Sequence, residues 1–131
     1  MNANIDFRNS ISEKALRYEP ENAEYWYIYA EMLQKISNNK EAEIAFKKVI
    51  ELEPKNIDAW IDYSNFLFEN NATKKALSTV RKAIKNNGEE TDLDFNLIAY
   101  LLADNKINEA TIKLHNILKK DKKLQDSSFL Y

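Results

Sequence analysis

The chain has 131 residues, 44% hydrophobic and 31% charged, which suits one modest folded core and is too apolar for a disordered polymer. One Gly and two Pro leave few breakers for tight turns between short strands, so long helices are expected. A net charge of −2 provides no global basic field for nucleic acid, and the lack of Cys excludes disulfides, thiolate metal sites and cysteine nucleophiles.

Residues Met1 to Asp6 show neither a basic leader nor an apolar stretch, and no run approaches the ~20 apolar residues of a membrane span. A cytoplasmic location is the resulting expectation. Apolar spacing then predicts helices over 6–18, 23–36, 40–53, 57–70, 73–86, 91–104 and 107–120, with a short one near 123–131. The second helix sets Trp26, Tyr29, Ala30 and Leu33 on one face, and the third does the same with Ala42, Phe46, Val49 and Ile50. Polar turns separate the helices at Ser37-Asn38-Asn39, Asn70-Asn71 and Asp104-Asn105, where Asn tolerates the left-handed backbone that short turns demand.

The pattern repeats. Pro20 and Pro54 stand 34 residues apart, as do Trp26 and Trp60, Tyr29 and Tyr63, Leu33 and Leu67, and Ala42 and Ala76. One more step reaches Leu97, Leu101 and Ala110 without a gap, so each period is a helical hairpin. These residues resemble the tetratricopeptide repeat, whose signature runs W-x2-L-G-x2-Y, A-x3-F, then P. The first copy reads Trp26, Tyr29, Ala30, Leu33, Ala42, Phe46 and Pro54. The second reads Trp60, Tyr63, Ser64, Leu67, Ala76 and Val80, with Gly88 in the proline's place. The third is degenerate: Asp94, Leu97, Ile98, Leu101, Ala110, Leu114 and Lys122. The resemblance covers about residues 14–122 and implies an all-α, right-handed α-solenoid of stacked helical hairpins, about three and a half repeats. Its parts in a single domain are a half-repeat at 1–22, repeats at 23–56, 57–90 and 91–122, and a cap at 123–131.

Three departures carry expectations. Ala30 and Ser64 keep a small residue where helices approach closely, whereas Ile98 predicts wider spacing. Thr91 and Asp94 have the spacing of a capping box, which would assign Asp94 to a helix start rather than to the core. Gly88 suits a left-handed helix end.

The resemblance further implies that first helices line a groove that holds a peptide or helix of another protein. The positions facing it are Tyr27, Glu31 and Gln34, then Ile61, Asn65 and Phe68, then Phe95, Ala99 and Leu102. Glu24, Asp58 and Asp92 fringe that surface at the same step of 34. From Leu97 to Ala103 every residue is apolar, and core packing by Leu97, Ile98 and Leu101 leaves Phe95, Ala99 and Leu102 needing cover. Cover by the chain itself, through Phe129-Leu130-Tyr131 or in a homodimer formed by the third repeat and tail, is favoured over a foreign segment. Relatives that bind chaperones clamp acidic peptides with Lys, Asn and Arg. Here Asn65 matches the middle asparagine, but Tyr27, Phe95 and Ala99 stand where cations belong and Glu31 replaces the first asparagine, so an anionic peptide is disfavoured in the groove.

No catalytic set emerges. His115 is alone, Asp58 with Asp62 and Glu41 with Glu43 are ordinary helix-surface pairs, and there is no Gly-rich phosphate loop, so no enzyme, cofactor or metal is expected. Lys74, Lys75, Arg81, Lys82 and Lys85 gather on one second helix, and Lys119, Lys120, Lys122 and Lys123 follow the next; both clusters read as solvated faces. The expected role is a scaffold or adaptor binding another protein, with no nucleic acid or membrane partner. The alternative is a structural, dimer-forming repeat portion of a larger protein.

Overall fold

The computed structural model describes residues 13–129, with side chains as far as Lys123, and these residues are all α. Helix α1 occupies 13–18, followed by α2 (Ala23–Lys35), α3 (Asn39–Leu52), α4 (Ile57–Glu69), α5 (Thr73–Asn87), α6 (Thr91–Ala103) and α7 (Ile107–Phe129). The expectations for residues 6–12 and for the tail side chains of Phe129, Leu130 and Tyr131 lie outside the described residues. A separate short helix near 123–131 is not found. Helix α7 runs unbroken to Phe129, because Lys122 occupies the register of Pro54 and no Gly or Pro follows it.

Each first helix ends in the same way. Ser37 adopts φ 60°, Asn71 φ 64° and Asn105 φ 59°, three left-handed residues at the repeat step. At the first, the Ser37 N–H donates to the Gln34 carbonyl at 3.0 Å and the Asn38 N–H to the Leu33 carbonyl at 2.9 Å. The same pair of bonds recurs from Asn71 to Phe68 and Ala72 to Leu67, and from Asn105 to Leu102 and Lys106 to Leu101. This is the Schellman arrangement, which satisfies carbonyls that a helix end leaves open. Two turns use Asn as the sequence suggests; the first uses Ser37 rather than its neighbouring asparagines.

Helix starts repeat as well. Asn22 accepts the Tyr25 N–H and Asn56 accepts the Ala59 N–H, both at 3.2 Å, while their amides donate to Glu19 and Glu53. The indole of Trp26 donates to the Pro20 carbonyl at 2.7 Å and that of Trp60 to the Pro54 carbonyl at 2.9 Å. The Glu-Pro-x-Asn segment therefore caps one helix and anchors its tryptophan at once.

Two compact units are found, Met1–Tyr63 and Ser64–Tyr131, with the division inside α4. In the first, α2 packs on α3 through buried Ala30, Leu33, Ala42, Ala45, Phe46 and Val49, the alanines allowing close approach. Phe46 stacks on Tyr63 with ring centres 6.1 Å apart, and the Tyr63 hydroxyl donates to Glu43 at 3.1 Å. In the second unit, α6 packs against both α5 and α7. Its core holds Leu67 of α4, Ala76, Leu77, Val80 and Ala83 of α5, Leu93, Leu97, Tyr100 and Leu101 of α6, and Ala110 of α7.

Helix α5 ends at Gly88, whose φ of 81° is paired with ψ of −177°. That is not the left-handed helical region expected from the sequence but an extended mirror region open essentially to Gly alone. A Cβ there would meet no heavy atom within 4 Å, so only backbone strain opposes a side chain.

Replacing Ser37 by Gly removes a left-handed strain of ~1 kcal/mol and is expected to raise the midpoint of chemical denaturation. Gly88→Ala is expected to lower the midpoint through a comparable loss of ~1–2 kcal/mol of stability despite the open space. Denaturant titration followed by circular dichroism measures both, and an unchanged midpoint for either contradicts the backbone account.

Candidate partner-binding site

None of the nine sequence-predicted contact residues is buried. In the first unit Tyr27, Gln34 and Ile61 are half-buried and Glu31 is exposed. Tyr27 lines a cleft of about 260 Å³ with Glu24, Val49, Glu53, Asn56 and Asp58, while Glu31, Gln34 and Lys35 border another.

The second unit assembles the remaining residues more tightly. Helix α4 supplies Asn65 and Phe68, and α6 supplies Phe95, Ala99 and Leu102, spaced i, i+4, i+7 along one face. Phe95 is 50% exposed and Leu102 53%, so neither is covered by the described chain. Behind them stands Tyr100, a buried residue that sequence reasoning left out of the core. Its ring lies 4.9 Å from that of Phe68, and its hydroxyl donates to Asn65 Oδ1 and lies 3.4 Å from Ser64 Oγ. Burial pushes the Tyr100 hydroxyl above its ordinary pKa, so it remains a donor and holds Asn65 by its oxygen. The repeat register contained the signal: Tyr100 is 34 residues beyond Phe66, which is also buried.

Asp94 requires a correction. Glu90, not Thr91, is the N-cap of α6, and no side-chain cap bond forms there. Asp94 instead sits in the core, 6% exposed, with Oδ1 3.1 Å from Lys113 Nζ. It occupies the register of Trp26 and Trp60, while Lys113 occupies that of the buried Ala45 and Thr79. A large-small pair of positions has become a small-large pair joined by charge. Lys113 also reaches Glu89 at 3.2 Å, and Lys120 bonds the same carboxylate. Burial pulls the Lys113 ammonium down, but its bonds to Asp94 and Glu89 outweigh that and raise its pKa. Bonds from Lys120 and Lys113 hold Glu89 below the usual carboxylate range. These contacts pin α7 to the start of α6 and fix the α6 face from behind.

Among the described residues no group of three or more His, Cys, Asp or Glu could hold a metal ion, and no helix is long and apolar enough to cross a membrane. His115 is exposed on α7.

A family model for the PRP39 N-terminal HAT repeat matches residues 2–124. The chain belongs to this HAT-repeat family. No match is found among curated proteins. Among solved structures it is similar to MamA (residues 41 to the end) from Desulfovibrio magneticus RS-1, at 16% identity and TM-score 0.72 over 92% of this chain and 68% of that one. It is also similar to MamA MSR-1, at 14% identity and TM-score 0.69, over 92% of this chain and 70% of that one. A third is YrrB, a TPR protein with an unusual peptide-binding site, at 20% identity and TM-score 0.68; the match covers 91% of this chain and 61% of YrrB. These likenesses establish an all-α solenoid fold of HAT-repeat and tetratricopeptide-like type. Such repeats generally mediate protein–protein interactions and serve as scaffolds rather than catalysts.

Removing one partner of a buried charge pair leaves the other uncompensated, so Lys113→Met is expected to cost about 3 kcal/mol. The double change Asp94→Leu/Lys113→Met should recover most of it, and denaturant titration of the single and double variants tests the coupling. Because Glu89 is depressed in the folded chain, its contribution is complete above the ordinary carboxylate pKa and is lost as pH falls through the depressed value. Glu89→Gln should therefore melt below wild type at pH 7, and the gap should close as pH falls through that depressed value.

Proposed function

We propose that this chain is a protein-interaction module that holds a peptide or helix segment of a partner against the first helices of its repeats. The observation that carries this reading is the uncovered stripe of Phe95, Ala99 and Leu102 beside the Phe68, Tyr100 and Asn65 cluster. Aromatic and aliphatic anchors on a rigid backing are the surfaces from which binding energy is drawn. Asn65, oriented by Tyr100, supplies an amide beside them, and its neighbour Phe68 rests on a ring that cannot turn away. Tyr27, Glu31, Gln34 and Ile61 are proposed as further contacts because all are accessible in the first unit. YrrB has a peptide-binding site, which supports a peptide as the ligand here. Exposed Glu24, Asp58 and Asp92 favour a neutral or basic flank on the bound segment. A soluble, cytoplasmic adaptor is the setting that this reading suits.

Phe95→Ala/Leu102→Ala alters only exposed side chains, so its circular dichroism should match wild type while partner recovery in affinity purification falls about tenfold. A photocrosslinking residue at Leu102 should mark the same partner. Equal recovery by both proteins would overturn the reading.

A second reading, a structural or dimer-forming role, has its own support. Leu114 is 40% exposed, although its register mates Phe46 and Val80 are buried. With Ile107 and Leu118 it forms an apolar stripe on α7. Sedimentation equilibrium decides: a wild-type dimer that Leu114→Glu/Leu118→Glu returns to monomer favours this role, and a monomeric wild type removes it.

A further inference from the structure

A second surface of the Ser64–Tyr131 unit differs in character from the α6 stripe. A cleft of about 530 Å³ is lined by Lys74, Leu77, Ser78, Arg81, Lys82 and Lys85 of α5, together with Asp104 and Lys106 of the α6–α7 turn. Helix α5 carries Lys74, Lys75, Arg81, Lys82 and Lys85 and no acidic residue, in a chain whose net charge is −2. The register mates of the six α5 residues on α3 are Lys40, Glu43, Ile44, Lys47, Lys48 and Glu51; three cations recur there, but two carboxylates stand among them and Glu43 lies 3.7 Å from Lys47. The concentration on α5 is therefore a property of one repeat, not of the architecture.

Within the cleft Arg81 pairs with Glu109 at 2.8 Å and Lys106 lies 3.8 Å from Asp104. Lys74, Lys82 and Lys85 find no carboxylate among the described residues. Like charges about one turn apart repel, so this face is costly until an anion reaches it. Lys74, Ser78, Arg81 with Lys82, and Lys85 follow one another along one side of the helix, each step about 5.4 Å. In an extended peptide, side chains on one face recur every ~6.6 Å, so successive ones would face Lys85, Arg81 with Lys82, Ser78 and Lys74, three cationic steps and one hydroxyl. Lysine stems and the apolar side chain of Leu77 provide the floor.

The geometry points to this cleft as the docking site for an extended acidic segment of a partner protein, with carboxylates at alternating positions. Protein is favoured over nucleic acid by two features. Helix α5 has no aromatic residue on which a base could stack, and Ser78 interrupts the row of cations that a continuous phosphate track would need. This site is independent of the α6 stripe, which lacks cations.

The test is fluorescence polarisation with the full chain and three labelled probes of similar charge: an alternating Glu-x-Glu-x-Glu-x-Glu peptide, a single-stranded oligonucleotide and a duplex. The peptide is expected to bind, and Lys82→Glu/Lys85→Glu to weaken it about tenfold or more, while Lys47→Glu/Lys48→Glu on α3 leaves it within about twofold. Raising salt from about 50 to about 300 mM should weaken it severalfold. Lys82, Lys85 and Lys47 are exposed and Lys48 is half-buried, and circular dichroism confirms that each variant folds. A peptide affinity unchanged by the α5 variant, equal losses from the α3 variant, or tighter binding of either oligonucleotide would overturn the assignment.

Discussion

Every hairpin in this chain depends on a single residue held left-handed at the end of its first helix. Ser37, Asn71 and Asn105 reverse the backbone there, and two hydrogen bonds from that residue and the next close the open carbonyls. With the reversal fixed, the second helix starts two residues later in a defined register. Ala30 and Ala42 then lie in the buried seam of the α2–α3 hairpin, and Leu93, Leu97 and Leu101 in that of the second unit. A chain with one glycine manages this because Asn and Ser bear the left-handed conformation at modest cost.

The same repeat positions have been put to different uses. Trp26 and Trp60 close the space at the start of their helices with an indole bonded to a proline carbonyl. In the third repeat both elements are gone, since Gly88 replaces the proline and Asp94 the tryptophan. A charge pair to Lys113 takes over, backed by Glu89 and Lys120. Buried ion pairs add little net stability over apolar packing, but they specify one partner and one geometry. Here the specified geometry is the seating of α7 against α6, which holds the exposed stripe of Phe95 and Leu102 on a fixed support. The division between helices follows a similar logic. Helix α5 carries cations and no carboxylate, whereas α6 exposes one carboxylate, Asp92, beside Phe95 and Leu102, so one surface is basic and the other largely apolar.

Much of the architecture is legible in the sequence. Helix positions, the step of 34, the turns and most core residues followed from apolar spacing, because helical periodicity and turn chemistry are local properties. The nine contact positions rest on the resemblance to the tetratricopeptide repeat rather than on spacing; none is buried, and Tyr27, Gln34, Ile61 and Asn65 are half-buried. What the reading mistook were residues whose partners are distant in sequence. Asp94 looked like a cap because Thr91 is near, yet its partner Lys113 lies nineteen residues on. Tyr100 looked like one member of an apolar run, and only its bond to Asn65 reveals it as a support. Gly88 showed that a helix would end but not which of glycine's allowed backbone regions would end it.

The sequence by itself determined that this protein is helical, that its hairpins recur and which faces of its helices are apolar, since each follows from residue spacing within a turn or two. Tertiary structure alone decided which of those faces remain open. Exposure of Leu102 and Leu114, burial of Asp94, and the gathering of five α5 and turn cations into one cleft depend on where neighbouring helices lie. A residue's surroundings are set by chain segments far from it, and no local pattern encodes them.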